Sequence, residues 1–254
     1  MNNLPEKNLP WRIEKVCAHA WPALKETRHE GLVLRFSHGL SRRINSANPT
    51  EKHDCDIDRL IAECEKQYRA EKLPVCFRLP SIIESSFEKR LRKRGYKKDA
   101  ESLVMYADIG DVALSDEEDI KLLHEPERGW LIPVTHAKNL TPPETKIFAQ
   151  IVKSIKISAA FGLLCREQHA VSMGFAAIHD GLLCFESIIT APPFRKRGFA
   201  RHLLTALLDW GKNHGARGAC LQVQADNKPA INLYYGLGFK EIYRYHYEME
   251  PVSN

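Results

Sequence analysis

The chain has 254 residues, 44% of them hydrophobic, and a formal net charge of +5. This length suits one large or two small domains with a packed core, and the mild positive charge favours an anionic ligand without indicating nucleic acid. The seven cysteines form no Cys-x-x-Cys pair, which argues against zinc sites and disulfide frameworks. Because no apolar leader and no long apolar run is present, we expect a cytoplasmic protein that does not insert into membranes.

In the first half of the chain, hydrophobic periodicity predicts alternating helices and strands. In order, these are a helix near 11–24, a strand at 31–36, a helix at 56–70, a strand at 74–79, a helix at 86–94 and a strand around 103–107. The polar stretch 110–119 follows and is a candidate domain boundary. A basic run at 89–98 is more typical of a solvated helix face than of a nucleic-acid site, because it lacks the aromatic interleaving that base stacking uses.

The second half carries the most informative stretch, residues 188–200. An apolar strand ends at two prolines, and Arg195-x-x-Gly198-x-Ala200 then opens directly into an amphipathic helix predicted over 200–213. A strand, a tight loop and a helix start bring unpaired backbone N–H groups and the positive helix end to one point, which suits a pyrophosphate. Gly198 lets the backbone turn sharply and lets a ligand approach closely. The spacing matches neither a Walker loop nor a dinucleotide-binding Gly-x-Gly-x-x-Gly motif.

A second motif follows a strand predicted at 217–224. It reads Asn227-x-x-Ala230-x-x-Leu233-Tyr234-x-x-x-Gly238-Phe239. A helix is predicted at 228–236 and a strand at 240–249. With both motifs in this order, residues 150–249 resemble the GNAT superfamily of acetyl-CoA-dependent N-acetyltransferases. The resemblance implies an α/β fold in which a mixed, mostly antiparallel sheet is flanked by helices.

An internal repeat indicates two tandem GNAT-like units. The segment Leu91-x-x-x-Gly95-Tyr96 parallels the Tyr-x-x-x-Gly-Phe part of the second motif, and similar helices and strands precede both. We expect a degenerate GNAT-like domain at 1–112 and a catalytic GNAT acetyltransferase domain at 113–254. In the first copy, residues 47–56 precede the helix without a glycine and with acidic residues, so that segment does not predict an anion site.

The resemblance implies two catalytic residues. Glu186 lies on the apolar strand at 182–190, where the family often carries a general base. Its alternatives are a residue on a solvated face or one paired with Arg201 or Lys212. Tyr234 matches the family tyrosine that protonates the departing thiolate, and its alternative is a core aromatic residue beside the cofactor. Direct acetyl transfer in a ternary complex follows from the family, and no cysteine is positioned to suggest an acetyl-enzyme.

The cofactor-binding residues implied by the resemblance lie on the strand end, the loop and the two helices that follow. Backbone N–H groups near Ile189 and Thr190 are expected to hold the oxyanion. Asn227 is expected at the cofactor, with a simple helix N-cap as the alternative. For the three basic residues of the loop, the alternative is an ordinary exposed charge run. The full predicted set is Ile188, Ile189, Thr190, Arg195, Lys196, Arg197, Gly198, Phe199, Ala200, Asn227 and Tyr234, with no metal ligands.

The prediction that results is an enzyme that uses acetyl-CoA as a co-substrate. Its acceptor is expected to be a primary amine of a small molecule. Two alternatives stay open: a protein or peptide N-acetyltransferase, and a non-catalytic acyl-CoA-binding regulator. No membrane partner and no nucleic-acid partner is expected, and the identity of the acceptor and the oligomeric state do not follow from the sequence.

Overall fold

A computed structural model describes residues 8–51, 56–111 and 120–251. Seven α-helices and eleven strands lie in these ranges. The helices are α1 (Leu9–Ala20), α2 (Ile57–Ala70), α3 (Ser86–Lys93), α4 (Arg128–Ala137), α5 (Pro142–Lys153), α6 (Phe199–Asn213) and α7 (Lys228–Tyr235). The strands are β1 (Lys25–His29), β2 (Leu32–Phe36), β3 (Ala47–Pro49), β4 (Cys76–Pro80), β5 (Lys97–Asp108), β6 (Ile120–Leu123), β7 (Ser158–Arg166), β8 (His169–His179), β9 (Leu182–Thr190), β10 (Gly218–Gln224) and β11 (Lys240–Met249).

The chain divides into two compact units. Within the described residues, unit 1 combines 8–22, 105–111, 120–223 and 227–242, and unit 2 combines 23–51, 56–104, 224–226 and 243–251. The chain passes between the units within β5 and within β11, so the units are not the two halves of the sequence. The predicted domain boundary between residues 112 and 113 lies outside the described residues and stays a prediction.

Unit 2 is a mixed sheet that carries two helices. Its strand order is β1-β2-β3-β4-β11-β5. Strands β1 to β3 pair antiparallel, β3 pairs with β4 in parallel, and β4 pairs with β11 antiparallel. Leu60 and Ile61 of α2 join Phe87 and Leu91 of α3 in one buried cluster with residues of the strands. The helical spacing in the sequence therefore identifies the core side of both helices.

Unit 1 has helices on both faces of a mixed sheet with the strand order β11-β5-β10-β9-β8-β7-β6. Strands β6 to β9 pair antiparallel, and β9 pairs with β10 in parallel. Phe161 of β7 packs against Trp130 of α4, with ring centroids 5.0 Å apart. A Cβ at the next residue, Gly162, would lie 2.6 Å from Leu203 of α6. Because successive strand residues point to opposite faces, α4 and α6 cover opposite faces of this sheet.

The first helix lies on the α4 face of unit 1. Phe175 of β8 is paired in register with Phe161, and Trp21, directly after α1, lies 6.3 Å from the Phe175 ring. Arg12 binds Asp180 in the turn after β8, with a distance of 3.0 Å from Nε to Oδ2. The sequence grouped α1 with the N-terminal domain because it precedes that domain in the chain. Its packing instead joins it to residues more than a hundred positions away.

Every helix and strand that the sequence predicted is present, and the predicted α/β fold class with mixed, mostly antiparallel sheets is confirmed. The largest difference is in β5, which was predicted around 103–107 and extends over Lys97–Asp108. The sequence did not predict β1, β3, β6, α4, α5 or the β7–β8 hairpin. Because β8 is buried along most of its length on both faces, its apolar residues form a run without the alternation that marks a half-exposed strand.

Candidate active site

The loop before α6 presents the open N-terminus of that helix. Gly198 caps α6 with φ 84°, in the left-handed region, and Lys196 also has a positive φ of 60°. The first helical hydrogen bond runs from the His202 N–H to the Gly198 carbonyl oxygen. The backbone N–H groups ahead of it have no partner within the helix, and they lie at its positive end. No side chain caps this helix, so the geometry suits an external anion.

Three exposed basic residues surround this helix start. Arg195 donates from Nε to the Thr190 carbonyl oxygen over 3.1 Å, which ties the loop to the end of β9. The Arg197 guanidinium lies over the rings of Phe194 and Phe199, 5.9 and 5.1 Å from their centroids. Lys196 lies between them in the chain. The hydrogen bond of Arg195 and the cation–π contacts of Arg197 therefore stabilise the predicted phosphate loop. The three positive charges of the loop stay at the surface.

Strands β9 and β10 separate halfway along their length. Their parallel register runs from Leu182 opposite Gly218 to Phe185 opposite Leu221. Among the described residues, β9 continues beyond this register to Thr190 and β10 to Gln224. The segment from Glu186 to Thr190 therefore presents backbone N–H and C=O groups at an opening edge, which includes the predicted residues Ile188, Ile189 and Thr190.

A β-bulge shapes this segment of β9. Phe175 pairs with Glu186 and Met173 with Ile189, so that Ser187 and Ile188 together oppose the single residue Gly174. Ser187 has a positive φ of 55°. A Cβ at position 174 would lie 2.5 Å from Ile188 Cδ1 and 3.0 Å from its Cα. Only glycine permits this approach, and the bulge redirects the strand just after Glu186. The sequence did not predict this bulge, although a glycine inside an apolar strand is the usual signal for one.

A buried serine supports the same segment from β8. Ser172 is fully buried, and its hydroxyl donates to the Ile189 carbonyl oxygen over 3.2 Å. The same hydroxyl lies 3.2 Å from Thr190 Oγ1. These contacts hold the end of β9 against β8 on the side away from β10. No sequence signal distinguished Ser172 from an ordinary polar strand residue.

Glu186 and Tyr234 share one electrostatic environment. Glu186 is only 5% exposed, and Tyr234 is 8% exposed. Burial of the phenol, and then the negative charge of Glu186, raise the pKa of Tyr234 to about 12. A phenol with this pKa stays protonated at neutral pH and can donate its proton. Both residues that the sequence singled out as catalytic are thus buried, and the charge of Glu186 acts on Tyr234. The low exposure of Glu186 argues against a solvated face, and its catalytic role stays a prediction.

The neighbouring tyrosine has a different position. Tyr235 is 49% exposed, whereas the Tyr234 ring lies 6.0 Å from that of Phe239. The N–H groups of Leu237 and Phe239 both donate to the Tyr234 carbonyl oxygen, and Gly238 between them has φ 85°. The Tyr-x-x-x-Gly-Phe motif is thus the turn that ends α7 and fixes which tyrosine is buried.

Asn227 has a structural role in this arrangement. Its side-chain oxygen accepts a hydrogen bond from the Ala230 N–H over 3.3 Å and caps α7. This is the alternative that the sequence left open for it. A contact between Asn227 and a cofactor stays a prediction.

The basic run in unit 2 is compensated by acidic residues. Arg90 and Arg94 both bind Asp58, with N–O distances of 2.8 and 3.2 Å, and Arg92 binds Glu88 at 2.5 Å. These ion pairs support the interpretation of this segment as a solvated helix face. Among the described residues, none of the helices has the length and apolar character needed to cross a membrane.

Comparisons with known proteins agree with this geometry. A family described as "Probable histone acetyltransferase Rv0428c C-terminal" matches residues 11–248. The "Uncharacterized N-acetyltransferase YobR" of Bacillus subtilis is 24% identical over 243 residues, which cover 94% of this chain and 98% of that protein. A GCN5-related N-acetyltransferase from Kribbella flavida has a TM-score of 0.71 at 14% identity, with 95% of each chain covered.

A second solved structure bears on the repeat. A tandem GNAT protein from the clavulanic acid biosynthesis pathway has a TM-score of 0.68 at 12% identity, covering 98% of this chain and 91% of that one. Identities this low establish a shared fold and no more. The family match spans both motifs and nearly the whole described chain. The chain therefore belongs to the family described as "Probable histone acetyltransferase Rv0428c C-terminal", and it is an N-acetyltransferase of the GNAT superfamily.

Proposed function

We propose that unit 1 transfers an acetyl group directly from acetyl-CoA to a primary amine of a small molecule. The observation that carries the proposal is the pair of Glu186 and Tyr234, both buried and electrostatically coupled where β9 leaves β10. One is an acceptor of protons and the other a donor. Amine acetylation needs both, since a proton leaves the amine and a proton reaches the departing thiolate.

The start of α6 supports acetyl-CoA as the acetyl donor. Its unpaired N–H groups, the left-handed Gly198 and the exposed Arg195 and Lys196 suit a pyrophosphate. The open edge of β9 after Phe185 offers backbone donors and acceptors to an extended ligand. The residues present therefore fit the co-substrate that GNAT acetyltransferases generally use. Acetyl-CoA supplies an activated acetyl group as a thioester.

Glu186 is proposed as the general base. An alkylamine with a pKa of about 10.4 is protonated at pH 7, and freeing it costs about 4.6 kcal/mol. A carboxylate held beside the reacting amine lowers this barrier by accepting the proton directly or through water. Its low exposure strengthens the interaction with an incoming ammonium group, because little water screens the charge.

Tyr234 is proposed as the general acid. Its pKa of about 12 keeps the phenol protonated throughout the physiological range. Burial among α7 and the Phe239 turn fixes the side chain, so that donation to a departing sulfur requires no large rearrangement. Tyr235, half exposed on the same helix, lacks this setting.

The acceptor has two candidate classes. A small-molecule amine is supported by the tandem GNAT neighbour, whose description assigns it to the clavulanic acid biosynthesis pathway. A protein or peptide amine is supported by the family description, which names a histone acetyltransferase. We propose the small molecule as the acceptor, and the acceptor panel of the test distinguishes the two classes.

The test is a screen of coenzyme A thiol release with the purified full chain and acetyl-CoA. Amino sugars, polyamines, amino acids and lysine-containing peptides are the acceptor panel, and Glu186→Gln is the control enzyme. Turnover with a small amine that Glu186→Gln loses supports the proposal. Turnover with peptides alone supports the second candidate. Tight acetyl-CoA binding in calorimetry without release from any acceptor supports a non-catalytic acyl-CoA-binding regulator and overturns the enzymatic proposal.

A further inference from the structure

Three cysteines from distant parts of unit 1 meet beside Glu186. They are Cys17 of α1, Cys184 of β9 and Cys220 of β10, and their Sγ atoms all lie within 4.8 Å of one another. The Sγ atoms of Cys17 and Cys184 are 3.5 Å apart. The Cys184 Sγ also lies 3.9 Å from Oε1 of Glu186. Three sulfur ligand atoms thus converge, with a carboxylate oxygen beside one of them. The sequence shows no ligand spacing because more than 160 positions separate Cys17 from Cys184.

Two separations in the cluster are close to those of a tetrahedral metal site. A metal–sulfur bond of about 2.3 Å places two sulfur ligands about 3.8 Å apart. A carboxylate oxygen bound at about 2.1 Å lies about 3.6 Å from each sulfur. The observed separations of 3.5 and 3.9 Å are within a few tenths of these values. The three sulfur atoms all lie within 4.8 Å of one another, so small side-chain rotations bring them to ligand distance, and Glu186 is the carboxylate next to Cys184.

The chemistry of the cluster favours a metal over oxidation. Cys184 and Cys220 are fully buried, and Cys17 is 4% exposed. Neutral buried thiols react slowly with oxidants, since the thiolate is the reactive form. A thiophilic cation displaces the protons itself as it binds.

We propose that Cys17, Cys184 and Cys220 form a binding site for one thiophilic cation of the Zn²⁺ and Cd²⁺ class, with the Glu186 carboxylate as the oxygen ligand. The cation replaces one proton on each thiol that it binds, and these protons pass to the solvent. Three soft sulfur donors exclude Mg²⁺ and Ca²⁺ as occupants, because those ions select oxygen ligands.

Occupancy has a consequence for catalysis, and this part rests on the proposed function. A carboxylate that ligates a cation no longer accepts a proton from an amine. The site therefore makes unit 1 an acetyltransferase that soft cations inhibit. Cation binding itself does not depend on the proposed function and is measured without any substrate.

The binding test uses cadmium ions with the full chain, kept reduced by a phosphine. Thiolate–cadmium charge-transfer absorption should rise to one equivalent per chain. Cys184→Ala and Cys220→Ala should each weaken cadmium binding by at least about 10-fold. Cys64→Ala and Cys76→Ala are the matched controls, because both residues are buried cysteines of unit 2. These controls should bind cadmium as the wild type does.

Absence of the charge-transfer band in the wild type overturns the proposal, as does equal loss in the control variants. Cadmium-113 NMR of the wild-type protein covers the case in which the cluster variants fail to fold. The chemical shift of a site with three sulfur ligands supports the proposal, and that of a site with one sulfur or none overturns it.

The inhibition test adds zinc ions to the thiol-release reaction. Zinc should inhibit the wild type and Cys64→Ala equally, and Cys184→Ala should need at least about 10-fold more zinc. Equal sensitivity of Cys184→Ala and the wild type overturns the link to Glu186. Should no acceptor be turned over, the cadmium titration still decides the site, so the two proposals fail separately.

Discussion

The N-termini of α6 in unit 1 and α2 in unit 2 occupy corresponding places in the repeat. They differ in whether a side chain of the protein caps their free N–H groups. Gly198 precedes α6 in a left-handed conformation, without a side-chain cap. Asp56 precedes α2, and its carboxylate accepts hydrogen bonds from the N–H groups of Asp58 and Arg59, over 3.1 and 3.3 Å. The chain itself supplies the anion at α2. At α6 the same N–H groups are left for a ligand.

The turns after α7 and α3 have the same backbone hydrogen bond but different side chains at the position of Tyr234. The Phe239 N–H donates to the Tyr234 carbonyl over 3.0 Å, and the Tyr96 N–H donates to the Leu91 carbonyl over 3.2 Å. The glycines of the two turns have φ values of 85° and 87°. Leu91 packs in the core cluster of unit 2, whereas Tyr234 lies in the field of Glu186. The backbone turn is the same in both copies, and the tyrosine that we propose as the general acid is present in one of them.

The largest effect should come from placing a negatively charged side chain at the N-terminus of α6. Gly198→Asp should weaken acetyl-CoA binding by about 100-fold or more, because a carboxylate then lies where phosphates bind at a positive helix end. Calorimetry of the wild type should give one site per chain. Gly215→Asp is the control, since Gly215 has a similar φ of 86° at the other end of the same helix. Two equal acetyl-CoA sites per chain would contradict the proposal that only the N-terminus of α6 binds the co-substrate.

The second-largest effect should come from replacing Glu186, the proposed general base. Glu186→Gln should slow acetylation of an alkylamine by about 100-fold at pH 7 and leave acetyl-CoA affinity unchanged. The deficit should shrink as pH rises, because the amine then loses its proton without help. Glu167→Gln, at an exposed turn of unit 1, is the control in the same pH–rate measurement. A variant profile parallel to that of the wild type would falsify Glu186 as the base.

A smaller effect is expected from the tyrosine that distinguishes the two turns. Tyr234→Phe should lower kcat by about 10-fold or more and change the KM for acetyl-CoA little, since the ring still packs and only the proton donor is lost. Tyr235→Phe should behave as the wild type, because that side chain is half exposed. Steady-state kinetics of both variants tests this assignment. A loss of kcat in Tyr235→Phe with Tyr234→Phe near the wild type would assign the general acid to Tyr235.

The smallest effect concerns the capped helix. Asp56→Ala should lower the free energy of unfolding by about 1 kcal/mol and create no second acetyl-CoA site, because α2 has no basic loop before it that matches Arg195 to Arg197. Asn227→Ala removes the corresponding cap of α7 and should have a similar effect on denaturant unfolding. A fall in acetyl-CoA affinity in Asn227→Ala would support its predicted cofactor contact. A second acetyl-CoA site in Asp56→Ala would contradict the proposed difference between the N-termini of α2 and α6.

Much of the site could be predicted because its parts are local in sequence. The left-handed Gly198, the helix periodicity after it and the Tyr-x-x-x-Gly-Phe turn each depend on residues within a few positions. The pairing of Glu186 with Tyr234 came from the family resemblance, and the mutual burial of the two residues agrees with it. The choice between a capping and a cofactor-binding Asn227 could not be made from sequence, since both roles favour the same residue type at a helix start.

Local sequence patterns were enough to predict the helices with clear periodicity, the strands beside the two motifs, the glycine-dependent turns and the copy of the repeat in which a phosphate loop is expected, because steric and hydrogen-bonding preferences act between near neighbours. Only the tertiary structure decided the rest. It joined α1 to unit 1, opposed Ser187 and Ile188 to the single Gly174, and gathered Cys17, Cys184 and Cys220 beside Glu186. These features arise from sheet register and from helix packing across long stretches of chain, where contacts depend on how whole surfaces fit rather than on any local pattern.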